Sequence, residues 1–356
     1  MPRRKKVTLR ELAADLGLTV HTVSKALRGL PGMSGETREA VFLRARELGY
    51  RTKAQEAGLT AERLPWVAGP PRRFGMFLDG TLDFHRHQLE GAQKRLNELG
   101  CALHPLFVPP ELSGEAALEQ WLAANGVPYM DGIFLTATLP EWMEQPLMAL
   151  PMPKVLLNYP PAAALVDSVI WDVEHAVYQS MEALHRNGHR SVLYVGDKGP
   201  HRGFRLRWQA FLDAAERLDM TVAGDTGTAL HRGRDQTRWL QELGEQLASG
   251  TFTCVLSAIP DTATWVYMAA TSRRLSVPED FSLVSIENAA VPHLPDLSRP
   301  ILFQRETGER AAELMLRRIA NPLLPYEHVR LRGPFHEGET LRIIRAPDVV
   351  GGMNGA

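Results

Sequence analysis

The chain has 356 residues, a formal net charge of −1 and two cysteines, Cys101 and Cys254. It is long enough for several domains, and it has no run of about 18 apolar residues that could cross a membrane and no apolar segment after its basic start. The two cysteines lack the spacing of a metal or redox site. These features exclude a membrane-spanning chain, and without an export signal we expect a cytoplasmic location.

Residues 7–28 predict two short helices separated by a turn at Gly17. Thr8 and Glu11 have the spacing of a capping box, and Thr19 is the expected N-cap of the second helix. Apolar residues recur at helical spacing in both segments. The pattern favours a helix-turn-helix, and an ordinary helical hairpin is the alternative.

The outer face of the second helix carries short hydrogen-bonding and cationic side chains: His21, Thr22, Ser24, Lys25 and Arg28. Residues 1–53 hold 12 Lys and Arg against 5 Asp and Glu, a net charge of +7, so the rest of the chain carries −8. A basic head on an acidic body indicates that the head binds a polyanion such as double-stranded DNA.

Residues 61–73 contain three prolines and predict a linker. Beyond them, short apolar runs alternate with amphipathic stretches, which predicts an α/β fold with parallel, doubly wound sheets. The predicted strands are Phe74–Leu78, Cys101–Val108, Gly132–Leu135, Val155–Asn158, Ser191–Val195, Thr253–Ser257 and Ser282–Ile286. The predicted helices are Phe84–Leu99, Ala116–Asn125, His175–Asn187, Arg205–Leu218, Thr237–Ser249, Thr262–Arg273 and Gly308–Ile319.

The chain resembles the lactose-repressor (LacI/GalR) family of bacterial transcription regulators. In the head the resemblance rests on VTLRELA at 7–13, TVSK at 22–25, SGETREAV at 34–41 and LGY at 48–50. In the body it rests on DGIF at 131–134, PKVLLN at 153–158, GHRSVLYVG at 188–196, RLRWQAF at 205–211 and VPEDFSLVSIE at 277–287.

The resemblance implies a domain organisation. An all-α helix-turn-helix head with a hinge spans residues 1–60, and the linker follows at 61–73. A sensor like the periplasmic binding proteins of type I, with two α/β lobes, spans residues 74–345, and a tail spans 346–356. We expect the chain to cross between the lobes near residues 172, 303 and 335.

The resemblance also implies that the helix starting near Thr19 is the recognition helix, with Val20 and His21 as the principal base readers. The other expected DNA-contacting residues are Thr8, Thr19, Thr22, Ser24, Lys25, Arg28, Thr37, Tyr50 and Leu59. Leu59 is the expected minor-groove wedge of the hinge.

The hinge departs from the family pattern, since Thr52 replaces the usual proline and Glu56 and Gly58 interrupt an alanine-rich helix. Three alternatives stay open: a hinge that folds only in the dimer on DNA, a less effective wedge, or a mere linker at 51–60.

Ligands of open α/β sheets bind beyond the carboxyl ends of the strands. The loops there contain carboxylates, arginines and aromatic residues, which suits a polyhydroxylated ligand. The expected effector-binding residues are Phe84, His85, Tyr159, Arg207, Asp261 and Glu287. By family position Arg207 is the principal one, on a loop-to-helix junction.

Each of these residues has a structural alternative. Phe84 and Tyr159 suit packing roles, and His85 suits a core or solvated histidine. Arg207 could form an ion pair with Asp197 or Asp261. Asp261 could instead be the N-cap of a helix, and Glu287 could be a solvated carboxylate in a loop.

Departures in the sensor affect the expected ligand. Pro260-Asp261 replaces the family's usual Asn-Asp pair, and Glu287 replaces an aspartate. A standard hexose is therefore a less secure expectation, and a smaller, differently shaped or absent ligand stays open. His85 and His87 lack a partner at metal-ligand spacing, so we expect neither a metal nor a cofactor.

These patterns predict a homodimeric DNA-binding regulator, a repressor of a pseudo-palindromic operator that responds to a sugar or related polar metabolite. A solute-binding receptor is the alternative, which the basic head argues against. An enzyme is a second alternative, but no phosphate loop, nucleophile elbow, zinc cluster or spaced pair of catalytic carboxylates is present.

Overall fold

A computed structural model describes residues 7–27, 33, 34, 37, 40, 41, 44, 45, 48, 50, 72–80, 82–199, 201–224, 236–260, 262–287 and 290–344, without the side chains of 82–84. The chain divides into two compact units, Met1–Pro70 and Pro71–Ala356.

The first unit contains the two expected helices, α1 (Leu9–Asp15) and α2 (Val20–Leu27). The predicted capping box is confirmed: the backbone N–H of Glu11 donates to Thr8 Oγ1 over 3.2 Å, and that of Thr8 donates to Glu11 Oε2 over 2.7 Å. Gly17 turns the chain with φ of +61°, which costs a glycine little. The core of the unit consists of Leu12, Ala13, Val23, Ala26, Val41 and Ala45.

The second unit alternates strands and helices, as predicted. Its strands are β1 (Arg73–Leu78), β2 (Ala102–Phe107), β3 (Gly132–Thr136), β4 (Lys154–Leu157), β5 (Asp167–Trp171), β6 (Ser191–Val195), β7 (Thr221–Ala223), β8 (Cys254–Ser257), β9 (Ser282–Ser285), β10 (Arg299–Pro300), β11 (His328–Leu331) and β12 (Phe335–His336). Its helices are α3 (Leu82–Glu98), α4 (Glu115–Ala124), α5 (Glu141–Ala149), α6 (Val173–Arg186), α7 (Arg202–Arg217), α8 (Gln236–Ala248), α9 (Thr262–Ser272) and α10 (Gln304–Ala320), with a 3₁₀ turn at Val127–Tyr129.

Two parallel sheets define two lobes. The sheet of the first lobe has the order β11-β5-β4-β3-β1-β2, and that of the second lobe has the order β7-β6-β8-β9. The antiparallel pair of β10 and β12 is separate. This architecture confirms the predicted α/β class with parallel, doubly wound sheets.

The chain passes between the lobes three times within this unit. It leaves the first sheet after β5 and builds the second from β6 to β9. It returns with α10, which packs on α3, and with β11 at the edge of the first sheet. The segment after β12 joins the second lobe, where the N–H of Leu283 donates to Thr340 O over 2.8 Å.

Two glycines bring α3 and α10 into backbone contact. A Cβ at Gly91 would lie 2.0 Å from Arg305 O, and one at Gly308 would lie 2.0 Å from Gln88 O. Only glycine permits so close an approach. The contact fixes the position of α3, whose first turns lie under the cleft described below.

The predictions missed α5, β5, β7 and the short strands after residue 298, and six helices begin earlier than expected. The strand β5 begins with Asp167 and Ser168, and both are buried. A segment that begins with two polar residues does not have the sequence pattern of a buried strand. Here Asp167 is buried because the Arg318 guanidinium donates to both of its carboxylate oxygens, over 2.7 and 3.1 Å.

Candidate functional site

Helix α2 has one buried and one exposed face. Val23 and Ala26 are fully buried, whereas Val20 is 41% exposed and His21 is exposed. At helical spacing, His21 and Lys25 lie opposite the buried pair. The helix therefore presents an imidazole and an ammonium group to its surroundings, as a helix that enters a DNA groove must.

The threonines at the start of α2 already have bonds within the protein. The N–H of Thr22 donates to Thr19 Oγ1 over 3.1 Å, and the two hydroxyl groups share a further hydrogen bond of 2.8 Å. Thr19 is thus the predicted N-cap. DNA contacts of Thr8, Thr19 and Thr22 stay predictions.

The remaining candidates of the head differ in exposure. Ser24 and Thr37 are half-buried, and the N–H of Thr37 donates to Ser34 Oγ over 3.2 Å. Tyr50 packs on the core of the head. Two further candidates, Arg28 and Leu59, lie outside the described residues.

A cleft in the second unit lies where β3 and β4 end and α7 begins. The residues that line it include Ala137, Thr138, Asn158, Tyr159, His201, Phe204 and Arg207. The first four residues follow strands of the first lobe, and the last three belong to the start of α7 in the second lobe. The cleft therefore occupies the place where open α/β sheets bind ligands.

Arg207 lies in the second turn of α7, not on the loop-to-helix junction that the sequence predicted, because the helix already begins at Arg202. Its side chain is 2% exposed, and one guanidinium nitrogen (Nη1) donates to Ala258 O over 2.8 Å. The Nε atom is buried and has no hydrogen-bond partner in the described ranges. Burial lowers the pKa of Arg207.

The expected alternative role of Arg207, an ion pair with Asp197, does not occur. Asp197 accepts the N–H of Gly199 over 2.6 Å, and no carboxylate among the described residues forms an ion pair with Arg207. Asp261 lies outside the described residues. An uncompensated buried charge costs several kcal/mol, which points to a ligand at this guanidinium.

His85 is fully buried beneath the cleft wall. Its Nδ1 lies 2.8 Å from Gln88 Oε1, and its Nε2 lies 2.8 Å from Thr138 Oγ1. Because the amide oxygen only accepts, Nδ1 carries the proton and Nε2 accepts from the threonine hydroxyl. Burial lowers the pKa of His85 and favours this neutral form. His85 thus orients Thr138, which lines the cleft.

Tyr159 is buried at the cleft wall. Its phenol oxygen accepts the N–H of Val173 over 3.0 Å, and the Arg330 guanidinium lies 4.8 Å from its ring centre. Burial raises the pKa of this phenol to about 12. The residue therefore combines a packing role with a surface in the cleft.

Glu287 is buried, so it is not the solvated loop acid of the alternative interpretation. Its carboxylate accepts the N–H of Ala263, at the start of α9, over 3.2 Å and the hydroxyl of Ser285 over 3.1 Å. Effector contacts of Glu287 stay a prediction. The side chain of Phe84 is outside the described part of the chain.

The sequence analysis missed Glu144, because it missed α5. Arg202 forms a bidentate ion pair with this carboxylate over 2.5 and 2.8 Å, and its Nε donates to Tyr159 O over 2.8 Å. The pair joins α5 of the first lobe to α7 of the second. Pro140 followed by two acids in the first turn was the available signal for α5.

Within the described ranges, no group of three or more His, Cys, Asp or Glu residues could hold a metal ion. Over the same ranges, no helix has both the length and the apolar character needed to traverse a membrane.

The comparison with protein families matches residues 181–341 to the periplasmic binding protein-like domain. Among curated proteins, the chain is 22% identical over 315 residues to the HTH-type transcriptional regulator DegA of Bacillus subtilis, covering 83% of this chain and 87% of that protein.

Two solved structures have the same fold. A lac repressor dimer bound to operator and an anti-inducer is 20% identical with a TM-score of 0.63, over 95% of this chain and all of that one. A LacI family regulator from Enterococcus faecium with bound ribose is 19% identical with a TM-score of 0.62, over 77% of this chain and all of that one. Structural similarity at these TM-scores establishes the fold of the chain.

Proposed function

We propose that the chain is a member of the LacI/GalR family of bacterial transcription regulators and that it is a DNA-binding regulator, a repressor controlled by a small effector. One observation carries the proposal: α2 begins at a threonine cap and holds His21 and Lys25 opposite its buried face, in a head of net charge +7. Base edges and phosphates are the partners that suit this surface.

A homodimer on a pseudo-palindromic operator follows from the size of the head. One recognition helix reads only a half-site, and a two-fold axis doubles the contacts on a palindrome. The lac repressor structure was solved as a dimer bound to operator, which supports this part of the proposal. Leu59 as the minor-groove wedge stays a prediction from sequence.

The cleft is the proposed effector site, and its ligand is a sugar or a related polar metabolite. It is lined from both lobes, so a bound ligand contacts both and biases their relative arrangement. The ribose-bound relative supports a small polar ligand. Such coupling between effector and DNA is typically worth about 1–3 kcal/mol.

The test is selection of duplexes from a random library with the intact chain, followed by titration of the enriched sequence. We expect a pseudo-palindromic site to be enriched and bound at least about 1,000-fold tighter than unrelated duplex. Equal binding to all sequences would contradict the proposal. A variant with Ala14→Ser on the exposed side of α1 is the matched control and should bind like the wild type.

A further inference from the structure

Among the described residues, the charge of Arg207 has no counter-ion in the cleft. The guanidinium is buried, remains protonated as arginine does in proteins, and donates within the described residues only to the carbonyl oxygen of Ala258. Its Nε has no acceptor within the described part of the chain. The Phe204 ring lies 5.4 Å from the guanidinium carbon and supplies no formal negative charge.

Two further groups at the cleft are open donors. Asn158 uses its Oδ1 to accept the N–H of Tyr159 over 2.7 Å, which leaves its NH₂ group for a ligand. Helix α7 has 16 residues, begins next to His201 and has no side-chain cap. Its first N–H groups and its dipole favour a negative charge at this end.

Two of the acceptors at the cleft are engaged by Arg202. The Glu144 carboxylate accepts hydrogen bonds from both terminal nitrogens of Arg202. The backbone carbonyl oxygen of Tyr159 accepts a hydrogen bond from Arg202 Nε. A neutral sugar offers hydroxyl groups that need both donors and acceptors, whereas an oxyanion needs donors alone.

We infer that the cleft binds an oxyanion, the carboxylate or phosphate of an acidic effector, between Arg207, the Asn158 amide and the start of α7. This inference rests on the proposed effector role of the cleft and narrows its ligand from polar metabolites in general to acidic ones.

The first experiment compares matched acidic and neutral probes on the intact chain by thermal shift and calorimetry, at constant ionic strength. The pairs are D-gluconate with D-glucose and D-ribose 5-phosphate with D-ribose, and inorganic phosphate is measured against chloride. We expect phosphate or one of the acids to raise the melting temperature where chloride and the neutral partner do not. The gluconate and phosphate arms separate a carboxylate from a phosphate ligand. No preference for any anion would overturn the inference.

The second experiment uses Arg207→Met, with Arg205→Met as the matched control, because Arg205 is exposed on the same helix. Arg207→Met should weaken anion binding on the order of 10- to 100-fold. It should also raise the melting temperature in chloride, because it removes an uncompensated buried charge. Arg205→Met should change neither. Unchanged anion affinity in Arg207→Met would overturn the inference.

Arg207→Lys keeps the charge but loses the planar fork, so it tests the site even where the methionine variant folds poorly. We expect intermediate anion affinity, and wild-type affinity with Lys would contradict the assigned geometry. Operator titration of the wild type separates the two proposals. If the wild type binds operator but shows no preference for an anion, only the inference of an acidic ligand is refuted. If it binds an anion but no operator, only the proposal of a DNA-binding regulator is refuted.

Discussion

The recognition helix of the head and the cleft of the body use polar side chains in opposite ways. On α2, His21 is exposed and stands free of the core beneath it. In the cleft, Arg207 is 2% exposed and held by a carbonyl oxygen. The exposed groups keep their hydration until a partner arrives, whereas the buried guanidinium has already lost its water.

This difference in exposure determines how each site gains affinity for its ligand. Exposed cations bind a polyanion by displacing its counterions, so their contribution depends on salt. Buried donors are screened much less and depend on geometry. We therefore expect the head to supply salt-sensitive affinity and the cleft to supply chemical discrimination.

The largest expected effect is the contrast in salt dependence. With about six or more phosphate contacts, operator affinity should fall on the order of 1,000-fold between about 50 and 200 mM salt. The affinity of D-gluconate for the cleft should change less than about tenfold, because Arg207 is buried. Titrations of both ligands across this range test the contrast, and parallel slopes would break it.

The body depends on a long-range buried ion pair that has no counterpart in the described head. Arg318→Met leaves the Asp167 carboxylate, which is 0% exposed, without its guanidinium. We expect a loss of about 3–5 kcal/mol in the free energy of unfolding of the body. The matched control is Arg317→Met, which breaks the exposed pair with Glu327 and should cost at most about 1 kcal/mol. Equal losses in denaturant unfolding would refute the distinction.

Acid should destabilise the body through His189. Its buried ring bonds Thr253 Oγ1 and Arg342 O, and desolvation lowers its pKa from 6.5 to about 4. The unfolded chain therefore takes up this proton at higher pH than the folded one. The contribution is complete above pH 6.5 and is lost as the pH falls towards 4.

Between pH 6.5 and 5 we expect the free energy of unfolding of the body to fall by about 2 kcal/mol from this group. His85, whose pKa is also lowered by burial, acts in the same direction. Denaturant titrations of the wild type and His189→Gln at both pH values isolate the contribution of His189. An identical pH dependence in the two proteins would show that His189 does not titrate as described.

The smallest expected effect is at the head. His21→Ala should cost about 1–3 kcal/mol in operator affinity, at one base position in each half-site. The reason is that an exposed imidazole can bond a base edge, and alanine cannot. Binding to single-base operator variants measures the effect, with His87→Ala in the body as the matched control. Equal weakening on every sequence would assign His21 to the DNA backbone.

The family resemblance placed Arg207 in the candidate site, whereas local patterns of the sequence predicted the capped helix pair of the head and the α/β class. These features are local, because a capping box joins residues three apart and helical periodicity repeats every three or four. The contacts that Thr8 makes with Glu11, and Thr19 with Thr22, are of this kind.

Only the tertiary structure decided which charges are compensated. Arg202 pairs with Glu144, 58 positions away, and Arg318 pairs with Asp167, 151 positions away. Arg207, five residues after Arg202, has a similar sequence environment and forms no such pair among the described residues. Side-chain identity fixes which bonds a residue can make, but burial and the proximity of distant segments fix which bonds it does make, and no local pattern encodes that proximity.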